Sequence, residues 1–395
     1  MTYGSSHMSW PIVPLGSVAR VVGGSTPDSG NTSYWGDDIV WVTPADLGQL
    51  ETIHVRDSGR RITRLGFLST SIDMLPVNSV ILSSRAPIGY LAINDVPLCT
   101  NQGCKSFVPG ASLDTRYLFY FLKRAVPALR ELGSGATFAE VSKSKLENYP
   151  IPVPPLPEQQ RIVAKLDEQM SALDRAEQAL AEQQAAASAF TTVALQQVFS
   201  GSESGRWPQV RLGEVAASDL TQVPPDDEFA KDLPYIGMED IESQTGRIIA
   251  QSAHSDVRSN TFAFDERHVL YGKLRPYLNK VALPESRGRC STELIPLRPE
   301  ARLDRRYLAW FLRRPETVSA AMQEKTGSRM PRASMKNIGQ LHIPLPPLSH
   351  QRQVVASLER ISAELTSLQQ HFADQRTDLA VLRSSLLNAA FSGEV

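Results

Sequence analysis

The sequence predicts an α+β protein. Two mixed α/β domains are joined by two long helices forming an antiparallel intramolecular coiled coil, the whole a pseudo-twofold internal repeat. Three observations predict it. The proline-rich stop Ile151-Pro-Val-Pro-Pro-Leu156-Pro-Glu-Gln159 returns as Ile343-Pro-Leu-Pro-Pro-Leu348-Ser-His-Gln351, displaced by 192 positions. Each stop is followed by a run free of Gly and Pro that ends alike, in Phe199-Ser200-Gly201 and Phe391-Ser392-Gly393. Leu113-Asp-Thr-Arg-Tyr-Leu-Phe-Tyr-Phe-Leu122 is answered by Leu303-Asp-Arg-Arg-Tyr-Leu-Ala-Trp-Phe-Leu312, identical at seven of ten positions. The expected divisions are a first globular domain over 9–150, a stop and helix over 151–201, a second domain over 202–342, and a second stop and helix over 343–395.

In chain order, Met1–Met8 reads as a vector remnant, and Trp10-Pro-Ile-Val-Pro-Leu-Gly16 opens the first domain. A polar loop over Gly23–Gly36 leads to strands at Ile39–Val42 and Val80–Leu82, the second entering the loop Ser83–Gly89. Helical periodicity marks Leu113–Leu132, followed by Gly133–Phe138 and a short basic helix or turn around Lys143 and Lys145. From Trp207-Pro-Gln-Val-Arg-Leu-Gly213 the order restarts, with Tyr235–Ile241 in the place of Trp41–Leu47 and Tyr271–Lys280 in the place of the Arg85 loop.

In the second long run, Leu358, Ile361, Leu365, Leu368, Phe372, Gln375, Leu379, Leu382, Leu386 and Ala389 step by three and four, the spacing of a coiled-coil seam. The equivalent seam of the first run is Leu166, Gln169, Leu173, Ala176, Leu180, Gln183, Ala187, Phe190, Ala194 and Gln197. It is thin alone. Laid antiparallel it complements the other, Ala176 near Phe372 and Ala187 near Ile361. Some 43 residues at about 1.5 Å each make a rod of roughly 65 Å. Two unrelated amphipathic helices would not share length and both ends.

Composition excludes several classes. No apolar run approaches a membrane span and no secretory signal opens the chain. Cys99, Cys104 and Cys290 are too few for a disulfide framework, so a cytoplasmic location is expected. The net charge of −1 conceals a division: Trp207–Phe264 carries four basic against ten acidic residues, and Asp265–Lys336 sixteen against eight. A locally basic face on a neutral chain fits a protein that meets nucleic acid there and protein partners elsewhere.

Catalytic signatures are absent. There is no P-loop, G-x-G-x-x-G or H-E-x-x-H, and no Asn/Asp-Pro-Pro-aromatic tetrapeptide. Ser142-x-x-Lys145 matches an acylating-serine pattern at two positions only and reads as a basic surface turn. Cys99 and Cys104 lack a second ligand pair at zinc spacing, so neither a catalytic residue nor a metal ligand is expected. Binding residues are the positive finding. Arg forks onto guanine or phosphate, Asn onto adenine, and Lys, Ser and Thr hold phosphates. The candidates in the second domain are Lys273, Arg275, Tyr277, Asn279, Lys280, Arg287, Arg289, Arg329, Arg332, Lys336 and Asn337. The first domain offers Ser83, Ser84, Arg85, Tyr90, Asn101, Gln102, Lys105, Ser134, Thr137, Lys143 and Lys145. Framework positions agree between the copies while these loops differ, so one scaffold presents two unlike recognition surfaces.

Pro154-Pro-Leu-Pro-Glu-Gln-Gln-Arg161-Ile-Val, its echo Pro346–Val355, the Phe-Ser-Gly endings and Tyr34-Trp-Gly…Trp41-Val-Thr-Pro-Ala-Asp-Leu47 resemble the specificity (S) subunit of type I restriction–modification systems, the HsdS family, over essentially the whole chain. His350 departs from that pattern where the first copy has Glu158. The resemblance implies two target recognition domains separated by spacer helices and an asymmetric bipartite target in double-stranded DNA. It also implies two docked methyltransferase (M) subunits and, through them, restriction (R) subunits. S-adenosylmethionine, ATP and Mg would then belong to those partners, with no cofactor on this chain. A methylation-only or other phage-defence assembly is the alternative setting, and a coiled-coil scaffold without DNA binding is the remote one.

Overall fold

The computed structural model describes residues 10–133, 139–200, 204–228, 232–250, 259–322 and 331–392. They fall into two units, one comprising residues 1–179 with 374–395 and the other residues 180–373. Each unit therefore holds one lobe and a stretch of both long helices.

In the first unit, strands β1 (Ile12–Pro14), β2 (Ala19–Gly23), β3 (Trp35–Val42), β4 (His54–Val55), β5 (Arg61–Ile62), β6 (Val80–Ser83), β7 (Leu91–Asn94), β8 (Cys99–Thr100), β9 (Cys104–Pro109) and β10 (Pro150–Pro152) form three sheets. Their orders are β2-β9-β6-β7-β4, β5-β3-β8 and the two-stranded β1-β10. β6 is buried at every position, as the central strand of a sheet covered on both faces should be. The helices are α1 (Pro44–Gly48), α2 (Arg64–Leu68), α3 (Thr115–Leu132), α4 (Lys143–Glu147) and the start of α5 (Leu156–Ser200).

The second unit repeats the plan. Its strands are β11 (Gln209–Arg211), β12 (Ala216–Ser218), β13 (Gln222–Val223), β14 (Tyr235–Ile236), β15 (Thr261–Phe264), β16 (Val269–Gly272), β17 (Val281–Ala282), β18 (Gly288–Ser291), β19 (Leu294–Pro299) and β20 (His342–Pro344). The order β12-β19-β16-β17 mirrors β2-β9-β6-β7, and β11-β20 mirrors β1-β10. The helices are α6 (Leu212–Val215), α7 (Arg305–Leu312), α8 (Pro315–Met322), α9 (Met335–Gln340) and α10 (Leu348–Ser392).

The repeated residues earn their place at the joints. Asp114 caps α3 by accepting from the backbone N–H groups of Arg116 and Tyr117, and Asp304 caps α7 through Arg306 and Tyr307. The buried Gln159 accepts from the Asp114 N–H at 2.8 Å while its amide donates to the Ser112 carbonyl at 2.9 Å and the Pro154 carbonyl at 2.8 Å. Gln351 does the same with the Asp304 N–H (2.7 Å) and the Arg302 and Pro346 carbonyls (both 2.8 Å). One side chain thus ties together a helix cap, the loop before it and the proline turn. Tyr117 and Tyr307 lie beside this lock and donate to the carbonyls of Pro152 and Pro344.

The far ends of the long helices explain the second duplicated signature. Phe391 of α10 packs on Tyr117 and Phe121 of α3, with centroids 5.0 and 5.6 Å apart, and Phe199 of α5 meets Tyr307 and Phe311 at 5.0 and 5.6 Å. Each lobe helix therefore receives the start of one long helix and the end of the other. In the first unit Arg383 of α10 reaches Asp174 (2.6 Å) and Glu177 (3.1 Å) of α5, while Phe391, further along α10, has returned to the α3 cap where α5 begins. The pair is antiparallel.

The seam differs in detail from expectation. Leu166, Leu173, Leu180, Leu358 and Phe372 are buried, and Ala187, Ile361, Leu365, Leu379 and Leu386 are half-buried. Phe190, Leu368 and Leu382 stand 53%, 39% and 46% exposed, outside the seam. At four places the helices turn four residues, not three, to the more inward position: Met170 over Gln169, Thr191 over Phe190, Arg383 over Leu382, Ala390 over Ala389. Phe199 and Phe391 set this rotation, because they must meet the lobe helices, and one residue is a turn of about 100° about the helix axis.

Candidate nucleic-acid interface

In the first lobe, three segments converge. The Ser84 N–H donates to the Gly103 carbonyl at 2.8 Å and the Val141 N–H to the Ser84 carbonyl at 3.0 Å, bringing 83–90, 99–105 and 139–145 together. Gly89, at φ +117°, completes the first loop against Val126, where a Cβ would approach within 2.5 Å. Arg85 and Lys105 share Glu140, at 3.8 and 2.9 Å. Tyr90 is exposed, and exposed Gln102 accepts from the Thr26 hydroxyl.

Two of the candidates are corrected. Ser83 and Ser84 are fully buried. The Ser83 hydroxyl donates to the Pro87 carbonyl at 2.8 Å and accepts from the N–H groups of Gly89 and Tyr90, and that of Ser84 donates to the Gly103 carbonyl at 3.2 Å. They shape the loop because a buried hydroxyl needs partners, and the nearest are backbone groups. Asn101 accepts from the Gly103 N–H, Lys145 donates to the Leu132 carbonyl, and Lys143 pairs with Glu147 at 3.6 Å. Ser142 accepts from the Lys145 N–H as the cap of α4, which gives the Ser-x-x-Lys spacing a helix-start explanation. Ser134, Thr137 and, in the other lobe, Arg329 lie outside the described residues.

The second lobe converges similarly. The Arg275 N–H donates to the Pro331 carbonyl at 2.8 Å and that of Ala333 to the Lys273 carbonyl at 2.6 Å. Here Arg332 forks onto Glu293 (Nη2 at 2.9 Å) with Lys273 at 4.0 Å from the same carboxylate. The Arg332 hydrogen bond holds the Glu293 carboxyl below the usual range, with Lys273 adding to it. Both lobes thus place two cations on one glutamate, and neither Glu140 nor Glu293 was marked by the sequence pattern. Asn279 donates to the Arg313 carbonyl at 2.8 Å and Lys280 to the Met238 carbonyl at 2.7 Å, so both brace the loop. Arg289 is fully buried, its three guanidinium nitrogens without a hydrogen-bond partner among the described residues, so it does not stand ready at the surface as expected. Burial lowers its pKa, partly opposed by Asp227. Asn337 is half-buried, its N–H donating to the Ser334 hydroxyl that caps α9. Tyr277, Arg275, Arg287 and Lys336 are exposed, and the three cations have no ion pair among the described residues.

A cluster passed over in the sequence lies on the first lobe, where the Arg60 guanidinium stacks 3.5 Å from the Trp35 ring centroid and Trp35 meets Trp41 edge-on at 5.1 Å. An arginine immediately before a two-residue strand is a weak signal alone. Burial pushes the thiols of Cys99, Cys104 and Cys290 up to about 12. Among the described residues no group of three or more His, Cys, Asp or Glu is placed to hold a metal ion. Among the described residues no helix is long and apolar enough to cross a membrane.

A family model described as "Type I restriction modification DNA specificity domain" matches residues 8–183 and 205–372. The MjaIX type I restriction enzyme specificity subunit of Methanocaldococcus jannaschii is 37% identical over 165 residues, 41% of this chain and 38% of that protein. The EcoDI specificity subunit of Escherichia coli is 22% identical over 316 residues, 72% of this chain and 70% of the other. Among solved structures, a chain from a study of type I R-M complex assembly and conformational transition superposes with a TM-score of 0.77 at 22% identity, covering 98% of this chain and 99% of its own. HsdS from Thermoanaerobacter tengcongensis gives 0.60 at 22% identity, with 100% of both chains covered. The duplicated lobe-and-helix plan and a family match over both copies lead to one conclusion: this chain belongs to the type I restriction modification DNA specificity domain family.

Proposed function

We propose that this chain is the non-catalytic DNA sequence-specificity subunit of a type I restriction–modification complex. Its lobes, within 9–150 and 202–342, read the two unlike halves of a bipartite duplex target. The segments 151–201 and 343–395 join them and carry two methyltransferase subunits, through which restriction subunits attach. S-adenosylmethionine, ATP and Mg act on those partners in the cytoplasm. One observation carries the reading: the joints repeat residue for residue, Gln159 with Gln351 and Phe199 with Phe391, while the convergent loops around Glu140 and Glu293 differ. In the first lobe the outward candidates are Tyr90 and Gln102, with half-buried Arg85 and the inward-bonded Lys105 supporting them; in the second they are Arg275, Tyr277, Arg287 and Lys336, with Lys273 and Arg332 supporting them.

The test is to combine the chain with the methyltransferase encoded beside it and map N6-methyladenine over random duplex DNA. Methylation confined to one gapped, asymmetric sequence is expected, with affinity falling steeply as salt rises. Methylation without sequence preference would overturn the proposal.

A further inference from the structure

The three segments that converge in each lobe can be matched through their backbone bonds. In the first lobe the Ser84 N–H donates to the Gly103 carbonyl and the Val141 N–H to the Ser84 carbonyl. In the second the Lys273 N–H donates to the Glu293 carbonyl and the Ala333 N–H to the Lys273 carbonyl. Ser84 therefore stands where Lys273 stands, Gly103 where Glu293 stands, and Val141 where Ala333 stands. The residue before the last of these is Glu140 in one lobe and Arg332 in the other. One place in the fold carries opposite charges in the two copies.

The neighbouring segment changes sign with it. Lys105, just beyond Gly103, meets Glu140 at 2.9 Å, whereas Arg332 forks onto Glu293 at 2.9 Å. The remaining segment is cationic in both lobes, with Arg85 at 3.8 Å from Glu140 and Lys273 at 4.0 Å from Glu293. In chain order the cluster reads plus, plus, minus in the first lobe and plus, minus, plus in the second. The inward members, Lys105 and Glu293, have side chains only 12% and 24% exposed, so each pair is partly shielded from the screening that weakens open surface pairs.

The reversal separates two roles. A cation that grips DNA must keep its sign, because every phosphate is negative. A strut between two segments needs only opposite charges at its ends, whichever end carries which. We infer that Lys105 with Glu140, and Glu293 with Arg332, are positioning residues: each pair sets the spacing of the segments that carry the outward reading side chains, and either sign order serves. The coupling to those side chains is short. Lys105 also donates to the carbonyl of Gln102 at 3.3 Å, and the carbonyl of Pro331, next to Arg332, accepts from the Arg275 N–H at 2.8 Å. This rests on the functional reading above and adds which residues hold the reading loops in place.

The experiment exchanges the charges of the first lobe and maps N6-methyladenine over random duplex DNA, using the full chain with its methyltransferase. Lys105→Glu or Glu140→Lys alone sets like charges against each other. Each should cut discrimination at one half-site, the same one for both, by roughly tenfold, about the effect of one wrong base pair. The other half-site, read by the second lobe, should stay as in the parent. Lys105→Glu combined with Glu140→Lys gives the first lobe the second lobe's order, and discrimination should return to within about threefold of the parent. Glu140→Gln guards against misfolding: it should relax the same half-site by a smaller factor, and unchanged discrimination there overturns the inference. A pair that only stabilises the lobe would lower the melting temperature of the single variants with both half-sites read as before, which overturns it as well. A Lys105 that grips phosphate would leave the double variant as defective as Lys105→Glu, with the same consequence. A parent complex without sequence preference refutes the functional reading; a selective parent whose exchanged variant stays relaxed refutes the strut alone.

Discussion

Replacing Gln159 by Leu keeps the bulk of the side chain and removes its hydrogen bonds. The substitution strands the Asp114 N–H and the carbonyls of Ser112 and Pro154, all bonded at 2.8–2.9 Å in the parent. Each orphaned buried group costs about 1–3 kcal/mol, and allowing the carbonyls to relax, a total near 3 kcal/mol is a fair sum. For a domain of this size that lowers the melting temperature by roughly 6–12 °C, in the calorimetric transition that contains the first lobe. Gln159→Glu sharpens the test. Its carboxylate would be buried against two carbonyl oxygens, so its folded pKa must lie above the unfolded value. A raised folded pKa favours the native state at low pH and loses that contribution as pH rises. The variant should therefore be least stable near neutrality and recover towards the parent below about pH 4.3. A Gln159→Leu melting temperature within about 2 °C of the parent, or a pH-independent Gln159→Glu defect, would refute the lock.

Phe391→Ala and Phe199→Ala should each cost about 3–5 kcal/mol and speed proteolysis at the helix end concerned, because buried aromatic packing on Tyr117 or Tyr307 is lost. Phe190→Ser and Leu382→Ser should change stability by less than about 0.5 kcal/mol, whereas Phe372→Ala should lose several, as chemical denaturation can decide. Arg275→Ala should weaken DNA binding by the complex several-fold in fluorescence titrations; a loss equal on all sequences, with a shallower salt slope, marks a phosphate contact, and relaxed methylation at one base pair marks base reading. The Glu293 carboxyl is held low, so its contribution is present at neutral pH and disappears as pH falls below about 4, and melting curves of Glu293→Gln should lack that part of the acid limb.

Periodicity, punctuation and repetition are local properties, and they were enough to announce two lobes, two long helices and their antiparallel pairing. The Leu-Asp-x-Arg-Tyr-Leu match could be read as a helix start because an aspartate cap acts on the next two residues. Which side of each long helix faces inward was not legible. Steps of three and four are nearly equivalent along one chain, and the choice is made where Phe199 and Phe391 meet helices far away in sequence. The binding loops show the same division. Residue type alone nominated Ser83, Ser84 and Arg289 as surface contacts, but only packing reveals that the serines fold back on their own turn and that the arginine is enclosed. Composition could mark the basic half of the second lobe; the sharing of Glu140 and Glu293 between cations arises because tertiary folding brings segments tens of residues apart within a few ångströms. Sequence by itself determined the repeated architecture, since each cap, stop and stripe acts over one or two turns. Tertiary structure decided helix rotation, loop exposure and the shared glutamates, since those depend on contacts between segments that no local pattern records.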